Sequence, residues 1–197
     1  RNSAMRNIRF GFSGRVKDAA KAFVLWPILV PLTLGILAPY AYYRQRKFIV
    51  ENSSYGTTRF AFSASARDYY RLFLSASVSL VIGVGFVAAF ISFLTPLSVP
   101  AALALYLYLF ALYSVKTTNL QFNSSRLAVH RFKANLRVKE YLALVVTNSL
   151  ATALTLGLFY PWAKIRTLRY KFSRLSLITS GDIDTFIAGE QKQVGSV

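Results

Sequence analysis

Three stretches of the chain repeat one pattern, and each leads into a run of residues too apolar for water. The copies are Arg9-Phe10-Gly-Phe-Ser-Gly-Arg-Val-Lys17-Asp18, Arg59-Phe60-Ala-Phe-Ser-Ala-Ser-Ala-Arg67-Asp68 and Arg131-Phe132-Lys-Ala-Asn-Leu-Arg-Val-Lys139-Glu140, offset by 50 and 122 residues without a gap. A unit repeated on this scale means a duplicated module. The apolar runs behind the copies set the class of protein: residues 22–43, 72–94, 98–115 and 141–163 carry no charge. A hydrocarbon core about 30 Å thick takes roughly 20 apolar residues in a helix, so all four runs are candidate membrane segments. A soluble bundle would need polar faces at helical spacing, which these runs lack. The sequence predicts a mainly α, polytopic membrane protein of repeated strand–membrane-leg modules, with four membrane segments and short juxtamembrane β-strands.

The charge fits that reading only if it is segregated. The chain is 54% hydrophobic yet carries a formal charge of +17. Its cations fall six apiece in the polar blocks 1–21, 44–71, 116–140 and 164–197. A nucleic-acid module would gather them on one domain beside a recognisable motif, so nucleic acid is not an expected partner. Cations flanking membrane segments are expected to attract anionic lipid headgroups instead, at about 1 kcal/mol each near the surface. Cysteine is absent, which removes disulfides, thiolate nucleophiles and cysteine-based metal sites. The chain opens without methionine, which points to a fragment or a processed form, and its first apolar run lacks a signal-peptide cleavage pattern.

The repeats divide the chain into three modules: residues 1–58 (strand, leg 22–43, basic elbow), 59–130 (strand, hairpin 72–94 and 98–115) and 131–197 (strand, leg 141–163, elbow and tail). The central hairpin is expected to turn at Thr95-Pro-Leu-Ser-Val-Pro100. In modules one and three, Leu32–Ala41 aligns with Leu154–Ala163, Arg44 with Arg166 and Lys47 with Arg169. Gly35 with Pro39, and Gly157 with Pro161, are expected to break each leg, since glycine frees the backbone and proline removes a donor. The residues after each break make a basic elbow: Arg44, Arg46 and Lys47 in one, Lys164, Arg166, Arg169 and Lys171 in the other. Ile165, Leu168 and Phe172 share a helical face there, as in a helix lying at the headgroups. A site-forming broken helix of the transporter kind is the alternative. Strands all on one side of the membrane would require both terminal legs to turn back.

Together these elements resemble the YjgN family of bacterial inner-membrane proteins. The likeness is carried by the Arg-Phe lead-ins, by Thr155-Leu-Gly-Leu-Phe-Tyr-Pro-Trp-Ala-Lys164 with Arg166, Arg169 and Tyr170, and by Gly181-Asp182-Ile-Asp184. Module one departs from it, with Ala38-Pro39-Tyr40-Ala41 where the family pattern has Tyr-x-Pro-Trp-Ala or its like. The resemblance implies a multi-pass protein of the bacterial inner membrane and implies no activity.

Few side chains suggest chemistry. His130 is the only histidine and is read as a strand or surface residue. Asp182 and Asp184 are read as turn-capping acids. Asp18, Asp68 and Glu140 precede their apolar runs at one place and are read as acids at helix N-termini. Ser75, Ser79 and Gly83 make a small-residue stripe, and Thr147, Ala151 and Thr155 another, both suited to helix packing. Asn148, with Thr152 beside it, is the candidate intramembrane polar site, because a buried amide in lipid needs a partner. No phosphate loop, catalytic triad or metal signature occurs, so neither an enzyme nor a cofactor is expected. Two functions remain. One is a scaffold or accessory subunit of a membrane complex, joined to another membrane protein or to itself. The other is a transporter or channel for an anionic or lipidic substrate. Transport predicts a membrane-depth cavity lined by Asn148, Thr147, Thr152 or Thr33; a scaffold predicts those residues packed dry.

Overall fold

The repeated lead-ins become strands, and the strands join into one sheet. A computed structural model describes residues 4–5, 8–93, 95–180, 187–189 and 191. The strands are β1 (Ala4–Met5), β2 (Ile8–Phe12), β3 (Ser53–Tyr55), β4 (Thr58–Phe62), β5 (Ser125–Leu127), β6 (His130–Ala134) and β7 (Leu175–Ile178). They lie side by side in sequence order, antiparallel at each pairing from β1 to β6. The duplication is visible in the register: Phe10 faces Tyr55 and Phe12 faces Ser53, just as Phe60 faces Leu127 and Phe62 faces Ser125. Buried Ile8, Tyr55 and Leu127 form the core of the sheet, with Phe60, Phe132 and Ile187 packed against them.

Each apolar excursion therefore leaves one strand and comes back on its neighbour. Between β2 and β3 run α1 (Val16–Ala20), a π-helical turn (Lys21–Leu25), α2 (Trp26–Leu32) and α3 (Ala38–Glu51). Between β4 and β5 run α4 (Ala66–Phe93) and α5 (Thr95–Asn123), and between β6 and β7 run α6 (Val138–Leu154) and α7 (Tyr160–Ser173). Among the described residues, the central pair are the two helices long and apolar enough to cross a membrane, with mean hydropathies of 2.2 and 1.7 over their apolar spans. The turn expected at Thr95–Pro100 is instead the start of α5. A proline in a first turn lacks only an amide that has no partner there, so Pro96 does not oppose the helix.

The terminal legs are not single helices. Each stops and reverses after its first arm, at residues 33–37 and again at 155–159. The uncharged run 72–115 gives each arm of the central hairpin about 22 residues, or roughly 33 Å, enough for a 30 Å core. Folded back at the breaks, run 22–43 leaves 22–32 and run 141–163 leaves 141–154 as the uncharged first arm, a reach of roughly 16 and 21 Å, each short of a 30 Å core. The residue count that made each leg look like a span is thus divided between two arms.

The two breaks are copies of each other. Leu34 and Gly35 take φ of 50° and 87°, and Leu156 and Gly157 take 49° and 94°. The Gly35 amide donates to the Val30 carbonyl at 2.9 Å and that of Gly157 to Thr152 at 2.7 Å, closing the helix ends. Thr33 Oγ1 accepts from the Leu37 amide at 3.2 Å and Thr155 Oγ1 from Phe159 at 3.0 Å. Pro39 and Pro161 play a different part from the one expected. Each stands in the first turn of the next helix, which its fixed φ helps to start, while glycine and the leucine before it make the break.

The chain divides into two compact units: Arg1–Tyr70 with Gln121–Lys133 and Leu177–Val197, and Arg71–Leu120 with Ala134–Ser176. The first holds most of the sheet and leg one; the second holds most of the central hairpin and leg three.

Candidate functional site

Leg three carries the polar residues singled out by sequence, and its two arms are tied together by them. Asn148 is buried on α6. Its amide nitrogen donates to the Ala163 carbonyl and to Thr167 Oγ1, both at 3.2 Å. Its amide oxygen accepts from Arg166 Nη1 at 3.1 Å, and the same nitrogen donates to Thr147 Oγ1 at 3.0 Å. Ala163 is the small buried residue of α7 that lets the arms approach. So the amide that needed a partner has three, all on the opposing arm.

A second cluster closes the strand end of the same leg. Glu140 stands in the first turn of α6, where its charge suits the helix dipole. It meets Arg174 Nη2 at 2.8 Å and Arg137 Nη1 at 3.5 Å. Tyr170 donates its hydroxyl to Glu140 at 3.2 Å and accepts from the Arg137 amide at 3.1 Å. Burial, with Glu140 beside it, holds that hydroxyl above the ordinary tyrosine value, so it stays protonated and remains a donor.

Between α6, α7 and Phe110 of α5 lies a cleft of about 800 Å³. Its α6 wall includes Tyr141, Asn148, Ser149 and Thr152, and its α7 wall includes Lys164, Leu168 and Lys171. Lys164 Nζ sits 6.0 Å from the centre of the Tyr160 ring and Lys171 Nζ 5.6 Å from that of Tyr141. Of the residues expected at a polar site, Asn148 and Thr152 line this cleft. Thr147 does not; it is exposed, and its hydroxyl bonds back to Ala143 and Leu144 of its own helix. Thr155 does likewise with Ala151 and is exposed, so in the expected Thr147–Ala151–Thr155 stripe the contact from the opposing arm is the Arg166 bond to Thr147. The stripe on α4 is a packing face: a Cβ on Gly83 would lie 2.3 Å from Leu105 Cδ1, and Lys116 Nζ donates to Ser75 Oγ at 2.8 Å.

Leg one places its cations differently. Arg46 lies 4.7 Å over the Tyr42 ring, and Lys47 pairs with Glu51 at 3.8 Å. Arg44 and Lys47 share a polar pocket of about 190 Å³ with Asp18, Lys21 and Glu51. The arms meet through Trp26 and Tyr40, edge to face with centroids 4.7 Å apart. Thr33 caps the break and does not line the leg-three cleft, and its hydroxyl also donates to the Leu29 carbonyl at 3.1 Å. Asp68 caps α4, its carboxylate accepting from the Ser65 amide at 2.8 Å, one half of a capping box, and from the Ser65 hydroxyl at 2.7 Å. His130 is on β6 as expected but buried, not on the surface, and it lines an apolar cavity of about 440 Å³ against the sheet. Asp182 and Asp184 lie outside the described residues.

Sequence reasoning missed Ser149 and Phe110 as cleft residues, and Asn119 altogether. Asn119 binds the Leu136 backbone through both amide atoms at 3.0 Å, as a strand neighbour would. The i, i+4 and i+8 spacing of Tyr141, Val145 and Ser149 held the signal for the α6 wall, whereas nothing local marks Asn119.

The chain belongs to the DUF898 family of bacterial proteins of unknown function, which it matches over residues 1–197. No curated protein and no solved structure matches it.

Proposed function

We propose that the protein is a multi-pass protein of the bacterial inner membrane that serves as a scaffold or accessory subunit of a membrane complex. The observation that carries this reading is the strand order, in which every apolar excursion begins and ends on adjacent strands. In this reading the central hairpin crosses, both legs enter one leaflet from the strand side, and the basic blocks share that side. The positive-inside tendency then assigns the strands to the cytoplasm. The break tips agree: Leu34 is 94% exposed and Leu156 95%, each at a left-handed φ that costs a leucine about 1 kcal/mol. Apolar side chains this exposed suit lipid better than water. The YjgN resemblance and membership of a bacterial family support the location. The reading gives the chain no catalytic role; its basic strands and elbows dock a second membrane protein or a second copy.

Cysteine labelling tests the topology, since the chain has no cysteine of its own. Arg59→Cys and Arg131→Cys should react with an impermeant thiol reagent from the cytoplasmic face alone, and Gly35→Cys and Gly157→Cys from neither. Labelling of either tip from outside would make that leg a span and end the proposal. Purification in mild detergent tests the role: recovery of a lone monomer counts against a subunit. A second reading, transport of an anionic or lipidic substrate, is favoured by Asn148 and Thr152 in the leg-three cleft. Liposome flux that Thr152→Leu abolishes would support it, and absence of flux in the unaltered protein would dismiss it.

A further inference from the structure

The repeated Arg-Phe pair is divided by the sheet. Neighbouring residues of a strand point to opposite faces, so the phenylalanines of the three copies fall on one face and the arginines on the other. Packing explains the phenylalanines: the Phe10 ring lies 5.1 Å from that of Tyr55, and Phe60 lies 5.9 Å from Phe132. It does not explain the arginines, because Arg9, Arg59 and Arg131 are all exposed. Ala61 pairs with Arg126 and Arg126 with Arg131, which adds a fourth exposed arginine to that face. From β2 to β6 the row crosses four strand spacings, about 19 Å. The sequence scatters these residues over three polar blocks, and the strand order gathers them on one surface. Leg one lies against the opposite face. Ile49 and Val50 of α3 line a cavity with Tyr55, Phe60 and Phe132, and Tyr43 stacks on Phe62 with ring centres 6.4 Å apart. The arginine face is therefore turned away from leg one.

We infer that this face docks an extended, carboxylate-rich segment of a different protein in the cytoplasm. A guanidinium holds a carboxylate through two parallel bonds, and about six extended residues span the row. A bilayer surface is disfavoured, since the leg that enters it lies against the other face. Single-stranded nucleic acid stacks its bases on aromatic rings, and among the described residues of β1 to β6 the rings lie on the face opposite the arginines. A second copy has little acid to offer: the chain has 7 carboxylates against 24 cations, and Glu51 and Glu140 already pair with Lys47 and Arg174. This rests on the proposed reading of a scaffold with cytoplasmic strands and names the chemistry of its partner.

The test uses the full chain in nanodiscs of phosphatidylcholine, with a fluorescein-labelled peptide of alternating glutamate and serine, at physiological salt where diffuse attraction is screened. Fluorescence anisotropy should show binding that Arg9→Gln, Arg59→Gln and Arg131→Gln together weaken at least tenfold. Lys17→Gln, Arg67→Gln and Lys139→Gln together remove the same charge, also once per repeat, from the first turns of α1, α4 and α6, and should change affinity less than twofold. Ala61→Glu leaves every arginine in place and sets a carboxylate opposite Arg126, so it should also weaken binding at least tenfold. That variant guards against misfolding of the arginine triple. Equal loss from both triples, or no binding by the unaltered protein, would overturn the docking face. Tighter arginine-dependent binding of a single-stranded DNA of equal charge would overturn the polypeptide as its partner. Slower labelling of Ala61→Cys by a neutral thiol reagent once phosphatidylglycerol is added to the nanodiscs would assign the face to lipid and overturn the inference. Failure to enter nanodiscs would count against the membrane reading itself, whereas normal insertion without arginine-dependent binding would count against this face alone.

Discussion

Leg one and leg three have the same backbone plan and opposite means of holding it. First arms of 5, 5 and 7 residues in leg one match a single arm of 17 in leg three, and both second arms have 14. Leg one joins its arms with an aromatic pair, Trp26 on Tyr40. Leg three uses Asn148 and Arg166 at the same level. Leg one also carries Pro27 and Pro31, and its helix widens into a π turn just before them, with Trp26 donating to the Lys21 carbonyl. Proline lacks an amide and crowds the carbonyl four residues back, so a widened turn before it relieves the clash. Leg three has Ser149 and Ala153 at those places and stays a regular α-helix. The break is thus specified by Thr-Leu-Gly and its hydrogen bonds, and the walls of each arm are left free to diverge. A polar, cation-lined groove could evolve in one leg because the other shows that the hairpin does not depend on aromatic packing or on amide bonds in particular.

The comparison breaks most sharply at Asn148. Asn148→Leu removes three hydrogen bonds between the arms, one from a guanidinium, and should destabilise leg three by about 2 kcal/mol. Faster tryptic cleavage after Arg166 and Arg169 would report it, with cleavage after Arg44 unchanged. Unaltered cleavage would mean that the amide does not join the arms. The glycines come next. Gly35→Val and Gly157→Val each force a β-branched residue to a φ near 90°, with nothing within 4 Å of the added Cβ, so backbone strain is the whole effect. Each should cost about 1.5 kcal/mol, and thermal unfolding in detergent should show the two losses equal. Unequal losses would deny that the breaks are equivalent. Trp26→Leu should cost about 1 kcal/mol, the worth of an edge-to-face pair, and should loosen leg one only.

How much of this was readable beforehand depends on how far the causes reach along the chain. The strands, the helix-capping acids and both breaks were legible because their causes are local: alternation, an acid three residues into a helix, and Thr-Leu-Gly with proline after it. The return of each leg was not. Hydropathy counts apolar residues and cannot tell 22 in one straight helix from 22 divided between two arms that pack on each other; contacts between the arms decide that, and in leg three they join residues 15 and 19 apart. The duty of proline was misjudged for a related reason, since Pro39 and Pro161 follow their breaks closely enough to look like the cause. In the candidate site, Asn148 and Thr152 stood out as polar residues in an apolar run. The lysines Lys164 and Lys171 were legible as a basic elbow but not as one wall of a cleft, because the facing wall comes from α6 and α5.

The smallest effect sharpens the comparison at the other duplicated feature, the turns that pair β3 with β4 and β5 with β6. Gly56 occupies the first turn position at φ 61°, and Ala128 occupies the matching place at 52°. Both turns are two residues long, closed by Tyr55 facing Thr58 and Leu127 facing His130. A left-handed alanine bears about 1 kcal/mol of strain that glycine does not, partly offset by the greater freedom glycine loses on folding. Ala128→Gly should therefore stabilise the sheet by about 0.5 kcal/mol, read as a small rise in the unfolding midpoint in detergent. Gly56→Ala should move it the other way by a similar amount. If Ala128→Gly instead lowers the midpoint, the alanine methyl contributes packing that its exposed position does not suggest, and the two turns are not equivalent.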